Sequence, residues 1–577
     1  MGLYILIYSI SLNQFQKEGQ IIIRCLIIDG YVDEPACLGV PPYISPYPRY
    51  IAGALVDKGL PAGNIHYITI DQIRTGQGLD LLQKAGIIII IAGMTVPGKY
   101  LRGTPINITE ISDITRLANK TPILLGGPIR LGYASQGGKM ATKPDIDGLT
   151  LAMADIEAYV FDIFGPALND PGIADHRMRS TDEIARWGVK GAFIIRHHPD
   201  FPYVMCELET YRGCARPGHC SFCTEPFYGE PDFRPIKDVV VEAEALYIQG
   251  ARYFRIGRQP DLFSYHAKDT GGELLRPDPG AIEQLYKGIR NIAPELKVLH
   301  MDNANPATIA AYPEESEEIA RIIVKYHTPG DVAAMGMESA DPAVIKANCL
   351  KTMPEDVMDA IEIINKVGGI RGKNGMPELL PGLNFIQGLK GETKETFNLN
   401  FQFLHGLLDS GLMVRRINIR QVMAFPGTPM WKEERKNYYH DQFLKFKDKV
   451  RKQIDFPMLN RVVPVGTVLQ DVLCEIYDGI TFGRQLASYP LLIGIPSKLT
   501  LGRFIDVTVT GHGQRSITGI PYPLDINNAD PRLISQLPGV GKKRTTSIVR
   551  GRPYKDQHEL FEKIENIEEI LPYIKIQ

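Results

Sequence analysis

The sequence predicts a mixed α/β protein built from several folded units, and three observations lead to this fold class. Runs of consecutive apolar residues, rich in Ile, alternate with longer mixed segments up to about residue 165. Similar strand and helix patterns recur up to about residue 430, and short β runs with turn residues follow them. The 577 residues correspond to roughly three to five domains. The chain has 64 basic and 66 acidic side chains. This balance excludes a protein whose whole surface binds a polyanion, but it does not exclude a local basic patch.

The first 20 residues stand apart from this pattern. Residues 3–12 are apolar, but no Lys or Arg precedes them and no small-residue cleavage site follows. We therefore expect an N-terminal extension over residues 1–20, or a misplaced start codon, rather than a secretory signal. Because no apolar run reaches the length of a membrane span, we expect a soluble, cytoplasmic protein.

Residues 21–165 predict a Rossmann-like domain with a parallel sheet. Continuous apolar strands, buried on both faces, are what such a sheet requires. Its ligands lie beyond the carboxyl ends of the strands, which here are rich in Gly and Pro, as close approach to a large ligand demands. The G-x-G-x-x-G fingerprint and the Walker A pattern are absent, and a Rossmann-like domain without a ligand is the alternative. The apolar runs are residues 21–29, 64–70, 86–93 and 122–127.

Residues 166–200 look like a connector, and repeated βα units over residues 201–430 predict a full or partial (β/α) barrel. Its site is expected at the carboxyl ends of the strands. The strand candidates are residues 253–257, 297–302, 333–339, 383–388 and 416–425.

Three smaller units are predicted after the barrel. Residues 431–460 form a basic helical segment, interpreted as a solvated helix. Residues 461–520 have the short, evenly spaced strands of a small barrel of the OB type. Residues 521–577 are helical, with the turn Leu-Pro-Gly-Val-Gly between two apolar helices, and residues 532–555 contain seven basic side chains and no acidic one.

The clustered cysteines are the strongest chemical signal. Cys214, Cys220 and Cys223 follow a predicted strand with the spacing C-x5-C-x2-C, and eight cysteines in all are too few for a disulfide scaffold. Three thiolates on one loop can hold three irons of a [4Fe–4S] cube and leave the fourth iron open to a ligand. A structural zinc ion with His219 as the fourth ligand is the alternative.

At this loop the sequence resembles the radical S-adenosylmethionine (SAM) superfamily, whose usual spacing is C-x3-C-x2-C. Further similarities follow in the family's order: Gly-Arg-Gln at 257–259, Gly-Met-Glu-Ser at 336–339, NFIQGLKGET at 384–393 with Lys390 in place of the usual proline, and FPGTPM at 425–430. The resemblance implies a [4Fe–4S] cluster, SAM and hydrogen abstraction from an unactivated carbon, which needs no general base, so no catalytic side chain is assigned. The implied SAM-binding residues are Phe222, Gly257, Arg258, Gln259, Glu338, Ser339 and Asn384.

A Rossmann-like domain before such a barrel resembles the cobalamin-dependent radical SAM methyltransferases. The resemblance implies that cobalamin lies between the two domains. The D-x-H-x-x-G motif, whose histidine ligates cobalt in classical cobalamin proteins, is absent. The lower face of the cobalamin would then be occupied by another residue, by water or by no ligand. The implied cobalamin-binding residues are Tyr43, Thr95, Val96, Pro97, Gly98, Gly126, Gly127 and Pro128.

Within this class the chain is similar to an archaeal family of C-methyltransferases that modify a glutamine of methyl-coenzyme M reductase, an enzyme of methanogenesis. Residues 29–55, the barrel and a C-terminal helix-hairpin-helix occur together there. The resemblance implies methylation of an unactivated sp3 carbon of a protein side chain. The implied partners are the alpha subunit of methyl-coenzyme M reductase and a reductant protein such as ferredoxin, with no membrane involved.

The C-terminal region offers a competing interpretation. The Leu-Pro-Gly-Val-Gly turn resembles a helix-hairpin-helix hairpin, and the barrel before it resembles a TRAM domain, which suggests RNA as substrate. The radical SAM methylthiotransferases use such a barrel on transfer RNA but need three further cysteines, whereas Cys25 and Cys37 are the only ones in the N-terminal domain. A protein-docking module, a solvated face and a non-catalytic nucleic-acid-binding protein are the alternatives. The implied nucleic-acid or partner contacts are Gly539, Gly541, Lys542, Lys543 and Arg544.

Overall fold

A computed structural model of the chain places most of its residues. The predicted extension lies almost wholly outside the described residues, as do Thr95, Val96, Pro97 and Gly98. No helix of the described part is both long and apolar enough to cross a membrane. The described residues are 16–17, 20–21, 24–32, 43–94, 102–118, 121–164, 175–216, 218–350, 352–433, 439–564 and 567–576.

The N-terminal region is built on a five-stranded, fully parallel sheet in the order β5-β3-β6-β7-β8. Its central strand β6 consists of five buried isoleucines, so both faces are covered, as the apolar runs predict. All four predicted runs contain a strand of this sheet. The elements are β1 (Gln16–Lys17), β2 (Gln20–Ile21), β3 (Cys25–Asp29), β4 (Tyr43–Ile44), α1 (Pro46–Asp57), β5 (Ile65–Thr69), α2 (Ile70–Arg74), α3 (Leu79–Lys84), β6 (Ile87–Ile91), α4 (Ile108–Leu117), β7 (Ile123–Gly126), β8 (Thr150–Leu151) and α5 (Ile156–Ile163).

The barrel consists of two four-stranded sheets whose paired strands are all parallel. One has the order β13-β12-β9-β4 and the other β14-β15-β16-β17. The elements are α6 (Thr181–Lys190), β9 (Met205–Glu209), β10 (Tyr211–Arg212), β11 (Asp232–Phe233), α7 (Ile236–Ile248), β12 (Tyr253–Gly257), α8 (Pro279–Ile292), β13 (Val298–His300), β14 (Asn303–Ala304), α9 (Pro306–Ala311), α10 (Pro313–Tyr326), β15 (Asp331–Glu338), α11 (Pro342–Ala347), α12 (Pro354–Gly368), β16 (Leu379–Gln387), α13 (Lys394–Asp409) and β17 (Arg416–Gln421).

One strand of the barrel comes from the N-terminal region. Residues 43–57 lie within the predicted Rossmann-like domain, yet β4 pairs in parallel with β9 of the barrel. The helix after it, α1, packs on α5 and α6, and Arg49 of this helix forms a fully buried ion pair with Glu242 of α7. The predicted connector is likewise packed, since Trp187 of α6 is completely buried. One hydrophobic core therefore runs continuously from the first sheet into the barrel.

The remaining chain forms a helical segment, a closed five-stranded barrel and a terminal group of helices. The barrel has the order β18-β19-β20-β22-β21. The helical segment is continuous, with a π-helical turn at Arg451–Asp455 between α14 and α15. The elements are α14 (His440–Val450), α15 (Phe456–Val462), β18 (Val468–Asp478), β19 (Ile480–Gln485), β20 (Leu492–Ile495), β21 (Phe504–His512), β22 (Ser516–Pro521), β23 (Leu524–Asp525), α16 (Pro531–Ile534), α17 (Lys542–Arg550), α18 (Gln557–Lys563) and β24 (Ile574–Lys575).

Candidate functional site

The cysteine loop starts from a backbone turn that only glycine fits. Gly213 has a φ of +90°, and a Cβ atom on it would lie 2.5 Å from the carbonyl oxygen of Glu230. Its amide donates a 2.8 Å hydrogen bond to the Glu225 carboxylate, which closes the loop from its far end. The loop therefore leaves β10 in a fixed direction toward the carboxyl ends of the barrel strands.

Cys214, Cys220 and Cys223 are all partly buried on this loop. Burial raises the pKa of the Cys220 thiol to about 11 and that of Cys223 to about 12. A guanidinium nitrogen of Arg216 lies 3.7 Å from the Cys220 sulfur and opposes this rise. Three thiols with little other compensating charge suit iron, because a bound metal stabilises the thiolates that burial disfavours.

The segment after α11 holds the cysteine loop in place, and sequence reasoning missed it. Asn348 is fully buried; its carbonyl accepts from the Ser221 amide at 3.0 Å and its side-chain oxygen accepts from the Ser221 hydroxyl at 2.8 Å. Arg216 donates to the carbonyl of Leu350 in the same segment. Arg216 could have been singled out in the sequence, because it lies within the unusual five-residue spacing between Cys214 and Cys220. No sequence pattern points to Asn348.

The geometry of the donors favours a cube over a single ion. Among the described residues no three His, Cys, Asp or Glu side chains converge as one metal ion requires. The cysteine sulfurs of a [4Fe–4S] cluster stand farther apart than the ligands of a single ion, since each binds a different iron. The alternative zinc site with His219 therefore has no support in the described part of the chain.

Two of the predicted SAM-binding residues have strained backbones at strand ends. Arg258 follows β12 with a φ of +62°, and Glu338 ends β15 with a φ of +59°. Residues other than glycine rarely adopt this left-handed conformation, and it concentrates at functional sites. Arg258 donates a 2.8 Å hydrogen bond to the Tyr47 hydroxyl of α1. Burial raises the pKa of Glu338 to about 8, and Arg420 opposes this rise.

The other predicted SAM-binding residues fall into two groups. Phe222 lines the large cavity described below, and the side-chain amide of Asn384 lies 3.2 Å from that of Asn418, which also lines it. Gly257, Gln259 and Ser339 contact other groups of the protein. A Cβ on Gly257 would lie 2.3 Å from Glu207, Gln259 accepts from Thr210 at 3.3 Å, and Ser339 accepts from the Asp341 amide at 3.1 Å.

The described residues predicted to bind cobalamin have structural roles as well. A Cβ on Gly126 would lie 2.5 Å from Ile156, and Gly127 has a φ of +88° that turns the chain into the short helix begun by Pro128. Tyr43 is buried, with the Arg255 guanidinium 5.2 Å from its ring centre. Close packing therefore already explains the two glycines.

A cavity of about 1300 Å³ lies where the Rossmann-like region, the cysteine loop and the later helices meet. Val32, Met94 and residues 136–139 line it from the first region, and Phe222 and Cys223 from the cysteine loop. The first region is docked there by backbone hydrogen bonds from Gly138 to Val422, at 3.0 Å, and from Ala141 to Ala424, at 2.8 Å. The volume exceeds the ~300–1,000 Å³ that is usual for one small ligand.

The residues predicted to contact nucleic acid lie at the start of α17. Gly539 has a φ of +67°, and Gly541 precedes the first helical residue, Lys542. Lys542 and Lys543 are exposed, while Arg544 donates a 2.7 Å hydrogen bond to the Gly539 carbonyl and closes the turn.

Comparison with known proteins gives both a domain match and full-length relatives. The model of the radical SAM superfamily matches residues 208–404. An uncharacterized protein of Methanocaldococcus jannaschii is 48% identical over 509 residues, covering 86% of this chain and 93% of the relative. Another from Archaeoglobus fulgidus is 42% identical over 557 residues, covering 96% and 99%. A ribosomal protein uS12 methylthiotransferase of Caldanaerobacter subterraneus subsp. tengcongensis is 23% identical over 356 residues, covering 57% and 73%.

Two solved structures show a more distant similarity. The radical SAM methyltransferase TsrM from Kitasatospora setae has a TM-score of 0.46 at 14% identity, covering 71% of this chain and 75% of that one. The cobalamin-dependent SAM radical enzyme OxsB has a TM-score of 0.45 at 13% identity, covering 74% and 56%. The family assignment therefore depends on the sequence matches.

Proposed function

We propose that this chain, whose residues 208–404 form a radical SAM domain, is a cobalamin-dependent C-methyltransferase that acts on an unactivated sp3 carbon. A radical SAM domain uses a [4Fe–4S] cluster and SAM, and Cys214, Cys220 and Cys223 are the residues that would hold the cluster. When bound, these groups supply one electron to the sulfonium and a carbon radical that removes hydrogen from the substrate, while cobalamin would supply the methyl group.

The cavity is the observation on which the methyl-transfer proposal depends. The carboxyl edge of the parallel sheet and the cysteine loop face the same space of about 1300 Å³, which is more than the ~300–1,000 Å³ that one small ligand usually occupies. Backbone hydrogen bonds across the two regions hold these walls at a fixed separation. Under this proposal the two walls would hold two bound groups close to one substrate carbon.

The free cysteines favour methyl transfer over methylthio transfer. A second cluster needs three more cysteines together. The other cysteines of the described part, Cys25, Cys206, Cys349 and Cys474, lie on β3, on β9, after α11 and on β18, and three of them are buried in separate strands. The distant methylthiotransferase relatives therefore do not define the reaction we propose.

The substrate implied by the family resemblance, a glutamine in the alpha subunit of methyl-coenzyme M reductase, stays a prediction, as does ferredoxin as the electron donor. Incubating the reductase subunit with the reconstituted enzyme and SAM, followed by mass analysis of the glutamine, tests it directly.

Anaerobic reconstitution tests the two cofactor assignments separately. The chain is loaded with iron and sulfide and then incubated with hydroxocobalamin, and the absorbance of cluster and corrin is recorded after gel filtration. We expect both bands, together with 5′-deoxyadenosine formation under reduction. A cluster band without a corrin band would end the methyl-transfer proposal and leave the radical chemistry standing.

A further inference from the structure

Arg216 lies on the cysteine loop, between the first and second cysteine of the motif, and contacts both the loop and its support. One guanidinium nitrogen lies 3.7 Å from the Cys220 sulfur, and the other terminal nitrogen donates to the carbonyl of Leu350. The Gly218 amide donates a 3.1 Å hydrogen bond to the Arg216 carbonyl and fixes the backbone there. Neither of the two guanidinium contacts is to a carboxylate, so neither of them neutralises the positive charge beside the sulfur.

The charge of Arg216 acts on two of the three cysteine sulfurs. Burial raises the pKa of the Cys214 thiol, and the amide and guanidinium of Arg216 both oppose this rise. At Cys220 burial again raises the pKa, Arg216 opposes the rise and Glu338 adds to it. Arg216 therefore stabilises negative charge at both sulfurs, in surroundings where burial and an acidic side chain disfavour it.

The segment after α11, residues 348–350, accounts for two departures of this chain from the radical SAM pattern. The longer spacing of the cysteines includes Arg216, which reaches the Leu350 carbonyl. Lys390 replaces the usual proline, and its amide donates a 3.3 Å hydrogen bond to the side-chain oxygen of Asn348, whose side-chain nitrogen donates back to the Lys390 carbonyl at 2.8 Å. A proline has no N–H and could not make the first of these bonds. Both departures therefore serve the segment that holds Arg216.

We propose that Arg216, held by residues 348–350, raises the reduction potential of the [4Fe–4S] cluster. Reduction by a low-potential one-electron donor adds one negative charge to the cluster, so a cation and a hydrogen-bond donor at a ligand sulfur favour the reduced form. Arg216 contacts a cysteine ligand and neither substrate nor SAM, so it is a positioning residue that acts through that ligand. The inference concerns the cluster alone and does not depend on methyl transfer.

A redox titration of the full-length, anaerobically reconstituted protein without SAM tests the inference. The electron paramagnetic resonance signal of the reduced cluster is recorded against the ambient potential, which is set with dithionite and mediator dyes. In Arg216→Gln the ratio of reduced to oxidised cluster at a fixed potential should fall about tenfold, which for one electron is a shift of about 59 mV to more negative potential. The midpoint potential is a property of the loaded molecules, so a lower iron content does not alter it.

Matched variants separate the charge of Arg216 from its role in the shape of the loop. Arg216→Lys keeps the charge and should recover most of the shift. Lys346→Gln removes the charge of an exposed lysine of α11, just before Asn348, and should keep the native potential. Lys390→Pro should lower the potential, because it removes the amide that donates to Asn348, whereas Lys390→Ala keeps this amide and should keep the native potential.

Three results would overturn the inference. The potential of Arg216→Gln equals that of Lys346→Gln or is higher; Arg216→Lys shifts as far as Arg216→Gln, so that charge is not the cause; or Lys390→Pro and Lys390→Ala have equal potentials, so that residues 348–350 do not position the guanidinium. A native potential in Arg216→Gln together with corrin uptake would defeat the inference alone. The expected shift in a chain that takes up no corrin would support the inference and defeat the proposed function.

Discussion

Replacing Glu338 with Gln should stabilise the metal-free chain at neutral pH, and the gain should vanish in mild acid. Glu338 is the last residue of β15. Its Oε2 atom is shielded from solvent and has no hydrogen-bond partner among the described residues. Burial raises the pKa of Glu338 to about 8, from an ordinary value of 4.5. The folded chain thus keeps a proton that the unfolded chain loses above pH 4.5. Folding stability therefore falls as pH rises from 4.5 to about 8.

The magnitude follows from the shift. Each pH unit in this range costs about 1.4 kcal/mol, so at pH 7 the native residue destabilises the fold by at most about 3 kcal/mol relative to a neutral isostere. Glu338→Gln should recover most of this at pH 7 and almost none at pH 5. Stability of the strand is measured as the amide-exchange protection of residues 331–338, relative to the native chain at each pH.

The control is Glu318→Gln, an exposed glutamate of α10, which should show no pH-dependent difference. A stabilisation by Glu338→Gln that is equal at pH 5 and pH 7, or that shrinks as pH rises, would refute the reasoning. Such a result would mean that the Glu338 carboxyl is ionised in the folded chain, and that burying it without a hydrogen-bond partner does not lower the free energy of unfolding.

Three further predictions concern the cysteine loop. Replacing Cys214, Cys220 and Cys223 with Ala should abolish both the cluster absorbance and 5′-deoxyadenosine formation, whereas Cys349→Ala, an exposed cysteine, should keep both; undiminished SAM cleavage in the triple variant would contradict the ligand assignment. Gly213→Ala should lower the iron content, because it adds a clash to the roughly 1–2 kcal/mol cost of its left-handed backbone. Gly229→Ala, with a φ of +87° and open space around its Cβ, isolates the backbone cost; equal iron losses in the two would show that the clash is irrelevant. Asn348→Ala should also lower the iron content by removing the partner of the Ser221 hydroxyl, and an iron content equal to that of Cys349→Ala would show that the loop holds its shape without the Asn348 side chain.

The regular elements could be predicted because their signals are local. Continuous runs of isoleucine identify the buried strands of the first sheet, and residues 253–257 form β12 as expected. The order of strands and motifs also located the ends of β12 and β15, where Arg258 and Glu338 lie. These features depend on residues close together in the sequence.

The remaining features depend on contacts that no local pattern records. The two-residue strand β4 exists only because β9 lies beside it. Asn348 reaches Ser221 from 127 residues away. Lys447 and Arg451 line the cavity because of the way in which α14 packs in the folded chain. The composition of a basic helix does not reveal this packing, so the sequence alone predicts a solvated helix.

The crossing of β4 and α1 into the barrel has a consequence for dissection of the protein. The chain leaves the first sheet after β3, contributes a strand to the second and returns for β5, so no single cut separates the two halves. A fragment that starts at residue 166 would expose the edge of β9 and would lose Arg49, which with Arg234 neutralises the buried Glu242. Because β4 and α1 connect the two halves in this way, the halves should be expressed and engineered as one unit.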